Sequence, residues 1–366
     1  MNARLRGAAV VLAGLCMVAG PAACGEAGGA HEPTGPASGG ALKIGVLIPD
    51  STSRFHYFDK PLIEKKIHQL CGECTVETVS AQHDVATQQQ QMDAMITKRV
   101  NVLILDATDS KSLRAPVENA RRAGIPVVAY DRLVEGPVSG YVSFDGAKVG
   151  RLQGEALLRA LGDKAHSSQI VMMNGASTDP NSAWFKAGAL SVLQGKVRIG
   201  KAYNTAGWRP EVANANMSGA IAALGAENID GVYSANDGLA SGIISALKAA
   251  KVDPLPPITG QDAELTAIQR IVAGEQYMTV LKPFKPEADA AATMAVALAR
   301  GEKLDDIAKQ RINSPTTHGI PAVLLTPVPV TVQHIKDTVI KDGMYTIDQI
   351  CTPKYASACA KAGLTR

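Results

Sequence analysis

Aromatic residues are scarce, at 4% of 366 residues, with two Trp, five Phe and eight Tyr. A ring beside a cluster of polar residues therefore stands out. Past residue 20 no apolar run approaches the roughly 20 residues that a membrane-spanning helix needs. Charge of one sign is lacking too: the formal net charge is +3 and no basic stripe occurs, which removes the case for nucleic acid. The seven histidines form no cluster, and neither Gly-x-Ser-x-Gly nor a phosphate loop is present. No catalytic residue, metal site or cofactor is indicated.

What is there begins with Arg4 and Arg6, an apolar run from Ala8 to Ala19, and Pro21-Ala22-Ala23-Cys24. A charged start, a run too short to span a bilayer and small residues at a cut make a secretory signal. With Cys24 directly after the cut it resembles a bacterial lipoprotein signal, although Pro21 stands where such signals usually carry Leu or Val. The reading is a signal over residues 1–23, with Cys24 acylated as the anchor. Residues 25–40 are mostly Gly, Ala, Ser and Pro and cannot bury enough surface to offset their ordering entropy, so 24–41 is a flexible tether. Removing the signal lowers the formal charge from +3 to +1. The expected location is the extracytoplasmic face of the cell membrane, held by lipid alone.

Cys16 leaves with the signal, and Cys71, Cys74, Cys351 and Cys359 remain, which allows three pairings. Proximity favours Cys71–Cys74 and Cys351–Cys359 as local clips. No second C-x-x-C and no His at ligand spacing accompany the first pair, which argues against zinc. It follows a helix end rather than preceding a helix, which argues against a redox thiolate.

From Leu42 the chain alternates. Strands are expected at Lys43–Pro49, Thr75–Ser80, Val102–Leu105 and Pro126–Tyr130, with helices at Phe58–Leu70, Val85–Lys98 and Leu113–Ala123. The pattern restarts with strands at Gln169–Asn174, Arg198–Tyr203, Gly231–Ser234, Pro257–Gly260 and Tyr277–Leu281 around helices at Ala183–Leu193, Arg209–Leu224, Leu239–Ala249 and Leu265–Val272. Continuous apolar runs separated by helices are the pattern of a parallel sheet covered on both faces. Two such units in about 320 residues imply an α/β protein of two doubly wound lobes with a cleft between them.

Ligands of such sheets bind beyond the carboxyl ends of the strands. Those ends carry Asp50 to Tyr57 including Arg54 and Phe55, then Asp131-Arg132, Asp179-Pro-Asn181, Gly207-Trp208, Asn236-Asp237, Gln261-Asp262 and Lys282-Pro283. Carboxylates accept from adjacent hydroxyls, Arg and Lys donate, and Asn does both, so the set suits a neutral polyol. Trp208 or Phe55 offers a plane for the C–H face of a sugar ring. Simpler roles are assigned elsewhere. Asp145 and Asp237 read as helix N-caps, Tyr130 and Trp184 as packing residues, and Gln88–Gln91 as a solvated helix face.

Ala129-Tyr-Asp-Arg132, Tyr141-Val-Ser-Phe-Asp145, Ser234-Ala-Asn-Asp237, Thr259-Gly-Gln-Asp-Ala263 and Thr279-Val-Leu-Lys-Pro283 follow in order, with Leu325-Thr-Pro327 and Lys336 to Gly343 near the end. Together they resemble the xylose-binding branch of the periplasmic sugar-binding proteins that feed ABC transporters, over about residues 43–350. The resemblance implies a type I periplasmic binding protein fold with three hinge crossings, near 144–148, 283–288 and 319–325. It divides the body into a first lobe of 42–146 and 287–322, a second of 147–286 and 323–350, and a tail of 351–366. It implies that Arg54, Phe55, Asp131 and Arg132 contact the sugar from the first lobe, and Asn181, Trp208, Asn236, Asp262 and Lys282 from the second. Where xylose binders often carry Arg-Trp, this chain has Arg54-Phe55. The implied partners are a monosaccharide and a membrane permease, the implied state a monomer, and no bond is made or broken. The rivals are a chemosensory receptor for another pentose or hexose, a tethered glycosidase, and the effector domain of a repressor. The last would need a DNA-binding helix pair where the signal and spacer stand.

Overall fold

A computed structural model of the chain describes residues 41–49 and 54–365. The expected signal, Cys24 and nearly all of the tether lie outside the described residues, as does Asp50. No helix among the described residues is long and apolar enough to cross a membrane.

The first lobe opens with β1 (Lys43–Ile48), a helical turn at Phe55–Asp59, α1 (Lys60–Leu70), β2 (Thr75–Ser80), α2 (Val85–Thr97), β3 (Val102–Leu105), α3 (Arg114–Arg122), β4 (Val127–Tyr130) and β5 (Gly140–Phe144). The chain then builds α4 (Gly146–Leu161), β6 (Gln169–Asn174), α5 (Pro180–Leu193), β7 (Arg198–Asn204), α6 (Pro210–Leu224), β8 (Gly231–Ser234), α7 (Asp237–Ala249), α8 (Leu265–Val272) and β9 (Thr279–Leu281). After α9 (Phe284–Ala299) come β10 (Gln310–Ile312), β11 (Ile320–Leu325), β12 (Val328–Val330), α10 (Ile347–Ile350) and α11 (Ala356–Lys361).

The first sheet has the order β10-β11-β5-β4-β3-β1-β2, parallel except for β10 at its edge. β3 and β4 are buried at every residue, as expected of strands covered on both faces. One apolar layer packs α9 and α1 on this sheet, and another packs α2 and α3 on its opposite face. The second lobe holds β7-β6-β8 in parallel, and Ile258 adds a single parallel bridge to Val232 where a full strand is expected at Pro257–Gly260. β9 pairs antiparallel with β12.

Three handovers link the lobes, after Phe144, at Lys282-Pro283 and after Leu325. The third falls at the end of the expected 319–325, and the chain stays in the first sheet three residues past the expected boundary at 322. Val323, Leu324 and Leu325 stay in register with Val142, Ser143 and Phe144 of β5, so the chain leaves the first sheet only after Leu325. The tail beyond Cys351 is built into the second lobe: Cys359 and Leu364 are buried with Ile268, Ile271 and Leu281. Bonds join Cys71 to Cys74 and Cys351 to Cys359.

α4 and α5 cross with backbones nearly touching. A Cβ on Gly150 would lie 1.9 Å from the Phe185 carbonyl, and one on Gly188 would lie 2.0 Å from that of Ala147. Only glycine allows this approach, and it seats the α5 side chains that reach the cleft. Gln88 departs from its expected solvated role. It is fully buried, donates to the Asp106 carbonyl at 2.8 Å and accepts from the Thr108 amide at 2.7 Å, bracing the loop after β3.

Candidate functional site

The carboxyl ends of the strands in both lobes face one cavity of about 420 Å3, within the size range of small-ligand sites. All nine residues expected to contact a sugar line it: Arg54, Phe55, Asp131, Arg132, Asn181, Trp208, Asn236, Asp262 and Lys282.

Arg54, just before the Phe55–Asp59 turn, organises the first-lobe wall. Its guanidinium lies 3.0 Å from Asp59, 3.2 Å from Asp131 and 2.7 Å from Glu287, and 4.6 Å above the Phe284 ring. Burial alone would favour loss of its proton, and the carboxylates of Asp59, Asp131 and Glu287 more than reverse that. Tyr130, expected only to pack, also donates its hydroxyl to Asp59.

Asp131 ends β4 with φ of 55°, in the left-handed region where a non-glycine residue is strained. Its amide donates to Val142, and its carbonyl accepts from the Tyr141 hydroxyl at 3.0 Å and from Asn181 Nδ2 at 3.1 Å. That frees the carboxylate to face the cleft. Burial pushes its pKa up, but Arg54, Lys282 and Arg132 outweigh burial and hold it well below the usual carboxylate range. Arg132 reaches across the cleft to Asp179 at 3.0 Å and lies 3.5 Å from Asp106. Burial raises both Asp106 and Asp179, with Arg132 opposing it.

The second-lobe wall is made from helix caps and left-handed turns. Asp179 caps α5 by accepting from the Asn181 amide. Trp208 has φ of 58° and donates Nε1 to Asp179 at 3.1 Å. Its indole lies so close over Gly175 that a Cβ there would sit 2.0 Å from the ring, so only glycine fits. Asn236, rather than Asp237, caps α7, accepting from the Leu239 amide at 2.8 Å. Asp237 is instead the fully buried first residue of the helix, a correction to its expected capping role. Its carboxylate accepts from Gln276 at 2.7 Å, Thr279 at 2.8 Å and the Glu264 amide at 3.0 Å. Asp145 does cap α4.

Those bonds hold the turn in which Asp262 and Ala263 have φ of 91° and 51°. Asp262 thereby meets Lys282 at 2.8 Å. Lys282 is 4% exposed and sits at the handover between lobes, 3.9 Å from Asp131 and within 6 Å of the Phe144 and Phe185 rings. Burial would lower its pKa, and Asp262 and Asp131 raise it instead, so it stays a cation.

Among the described residues lining this surface, two buried amide acceptors, Asn181 Oδ1 and Gln261 Oε1, make no hydrogen bond, and the buried carboxylate oxygens Asp106 Oδ1, Asp131 Oδ1 and Asp262 Oδ1 meet only cations, Arg132, Arg54 and Lys282. Buried acceptors left so cost stability unless a donor meets them. They alternate with cations, and Trp208, Phe55 and Phe185 supply apolar faces. Hydroxyl groups on a compact ring, which both donate and accept, match this surface.

Several residues that build the site escape a sequence reading. Asp59 and Glu287 are counter-ions of Arg54 drawn from a helical turn and from α9, Glu287 lying 233 residues away in the chain. Phe185 lies inside α5, away from any strand end, and stands edge-on to Trp208 at 6.3 Å. Asp179 and Gln261 stand at strand ends and line the cavity beside the expected contacts Asn181 and Asp262.

The sequence profile of the periplasmic binding protein domain matches residues 44–303. A D-xylose-binding periplasmic protein of Escherichia coli is 36% identical over 83% of this chain and 91% of its own length. A multiple sugar-binding periplasmic receptor of Rhizobium radiobacter is 32% identical over 84% of this chain and 92% of its own. Among solved structures, an ABC transporter solute-binding protein of Clostridium phytofermentans with bound β-D-glucose superposes with a TM-score of 0.76. It is 28% identical and aligns over 84% of this chain and 99% of its own.

Proposed function

The chain belongs to the periplasmic binding protein domain family, and from that premise we propose that it captures a monosaccharide, D-xylose first, between its lobes and delivers it to an ABC transporter permease. Members of this family bind solutes rather than transform them, so the chain is a binding protein and not a tethered glycosidase. Such proteins work outside the cytoplasm. In this reading Cys24 is the lipid anchor, residues 24–41 the tether, and the protein acts as a monomer.

The observation that carries the proposal is the set of buried acceptors on the cleft, Asn181 and Gln261 without a hydrogen bond and Asp131 and Asp262 met only by cations, interleaved with Arg54, Arg132 and Lys282 beside Trp208. In the proposed mechanism Asp131 and Asp262 accept from neighbouring hydroxyls while Arg54, Arg132 and Lys282 donate to the same ring. Asn181 and Asn236 do both, and Trp208 with Phe55 covers the apolar faces. The lobes already touch through Arg132–Asp179, Asn181 to the Asp131 carbonyl, and the Ser110 amide to the Thr178 carbonyl at 3.1 Å. A sugar bonded from both sides adds to these contacts only in the closed form, which supplies the free energy of closure.

D-Xylose is placed first because relatives bearing that sugar in their names align over nearly the whole body. Calorimetric titration of the purified protein with pentoses and hexoses tests the proposal. Micromolar or tighter binding of xylose, lost in Asp262→Ala, is expected. Tight binding of another aldose moves the specificity and keeps the mechanism; no heat from any monosaccharide overturns it.

A further inference from the structure

A second cavity, of about 470 Å3, adjoins the first and shares three residues with it: Arg54, Asp262 and Glu264. Its character is different. Tyr57, Phe58, Phe284 and Tyr345 line it together with Leu265 and Met344, in a chain where rings are few. Phe58 lies tilted against Phe284 with ring centres 5.1 Å apart and meets Tyr345 edge-on at 6.1 Å, so the aromatic wall is continuous from the first lobe to the segment before α10. Tyr57 is 71% exposed, the one large apolar side chain among the described residues that is exposed rather than buried or partly buried. Thr266, Gln349 and Glu264 place hydroxyl, amide and carboxyl groups on the same lining.

We propose that this annex is a second sugar subsite, so that the cleft accepts a disaccharide whose first ring sits in the polar cavity and whose second ring lies against Tyr57. The inference rests on the monosaccharide reading of the first cavity. Arg54 and Asp262 belong to both cavities, so a first-ring hydroxyl directed at them points toward the annex, and a glycosidic bond at that position carries the next ring into it. An aromatic face with polar groups at its edge is the pairing a pyranose demands, its C–H face on the ring and its hydroxyls on Glu264, Thr266 and Gln349. A purely alkyl ligand would leave those polar groups unmatched.

The test is calorimetry on the full-length protein with D-xylose and β-1,4-xylobiose, and with D-glucose and cellobiose. The expected result is that the disaccharide of the preferred monosaccharide binds at least as tightly as the monosaccharide itself. Tyr57→Ala should weaken the disaccharide about tenfold and leave the monosaccharide within about twofold. Thr266→Trp, which fills the annex from an exposed position, should block the disaccharide and spare the monosaccharide. Monosaccharide binding with no disaccharide binding overturns the annex and leaves the first reading standing. Equal weakening of both ligands by Tyr57→Ala also overturns it. No binding of any of the four sugars overturns the annex, and the first reading falls with it only where no other monosaccharide gives heat.

Discussion

The two walls of the cleft reach the same chemistry by different means. On the first lobe, Arg54 is fixed by Asp59, Asp131 and Glu287, so the wall is a web of buried charges drawn from three segments. On the second, Asp179 and Asn236 cap helices and Trp208 and Asp262 sit in left-handed turns, so the backbone itself aims the side chains. A charge web fails when one partner is lost, because the remaining charges stay buried without compensation. A backbone-set wall fails when the bonds that hold an unfavourable φ are loosened. Loss of a charge should therefore harm folding and binding together, and loss of a backbone brace should harm binding with a smaller effect on folding.

The largest expected effect comes from Asp131→Ala. It strips Arg54 of a partner at 3.2 Å, leaves Lys282 with Asp262 alone and removes an acceptor from the cleft. Breaking a buried ion pair by removing one member costs about 3–5 kcal/mol. Sugar binding should vanish in calorimetry, and the denaturant midpoint should fall with the slope unchanged. A variant as stable as the parent would remove the contrast between the walls.

A smaller effect is expected from Asp237→Asn, which touches no ligand. Three donors converge on the Asp237 carboxylate, and an amide nitrogen in place of one oxygen turns at least one of those bonds into a donor facing a donor. Leaving a buried group unsatisfied costs about 1–3 kcal/mol. The Asp262-Ala263 turn should loosen, weakening the sugar more than the stability loss accounts for, with faster amide exchange at Glu264. The decisive control is the same change in an Asp262→Asn background, where the affinity penalty should shrink. An equal penalty in both backgrounds would make Asp237 a general stabiliser and not a brace for Asp262.

What could be read in advance follows the same division. Asp131, Arg132, Asn181, Trp208, Asn236, Asp262 and Lys282 were legible because each follows a strand, and strand ends converge in a doubly wound fold. The partners that hold them were not. Glu287 lies in the apolar pattern of α9, and Gln88 lies in a run that looks solvated, yet both are fully buried because a polar group from a distant segment meets them. Local pattern shows which face of an element is apolar, but not which buried polar residue will find a partner. Asn236 and Asp237 show the limit at one-residue scale: both suit a cap, and only the packing of Gln276 and Thr279 beneath the helix decides which is drawn inside.

The smallest effect expected is a dependence on pH that belongs to the second wall. Glu264, beside Asp262 and at the start of α8, is pushed up to about 7 from 4.5, by burial first and then by the Asp262 charge, with Arg270 opposing both. A carboxyl whose folded pKa exceeds its unfolded one binds more protons when folded, so its contribution to stability falls as pH rises from about 4.5 to about 7 and then levels off. Asp131 behaves in the opposite sense: its stabilising charge is present above the ordinary carboxylate range and is lost only as pH falls through its depressed folded value. Asp59 and Glu287, raised by burial around Arg54, and Asp237 beneath the turn, raised by burial and by the Glu264 charge, add their own titration to the parent curve. The informative quantity is therefore the difference between parent and Glu264→Gln melting curves at pH 5 and pH 8. The variant should lose about 1–3 °C less than the parent over that interval. A difference of zero would place Glu264 in water, and with it the edge of the turn that positions Asp262. A larger fall in the variant would mean that the glutamate charge is held by Arg270 and steadies the second wall as ion pairs steady the first.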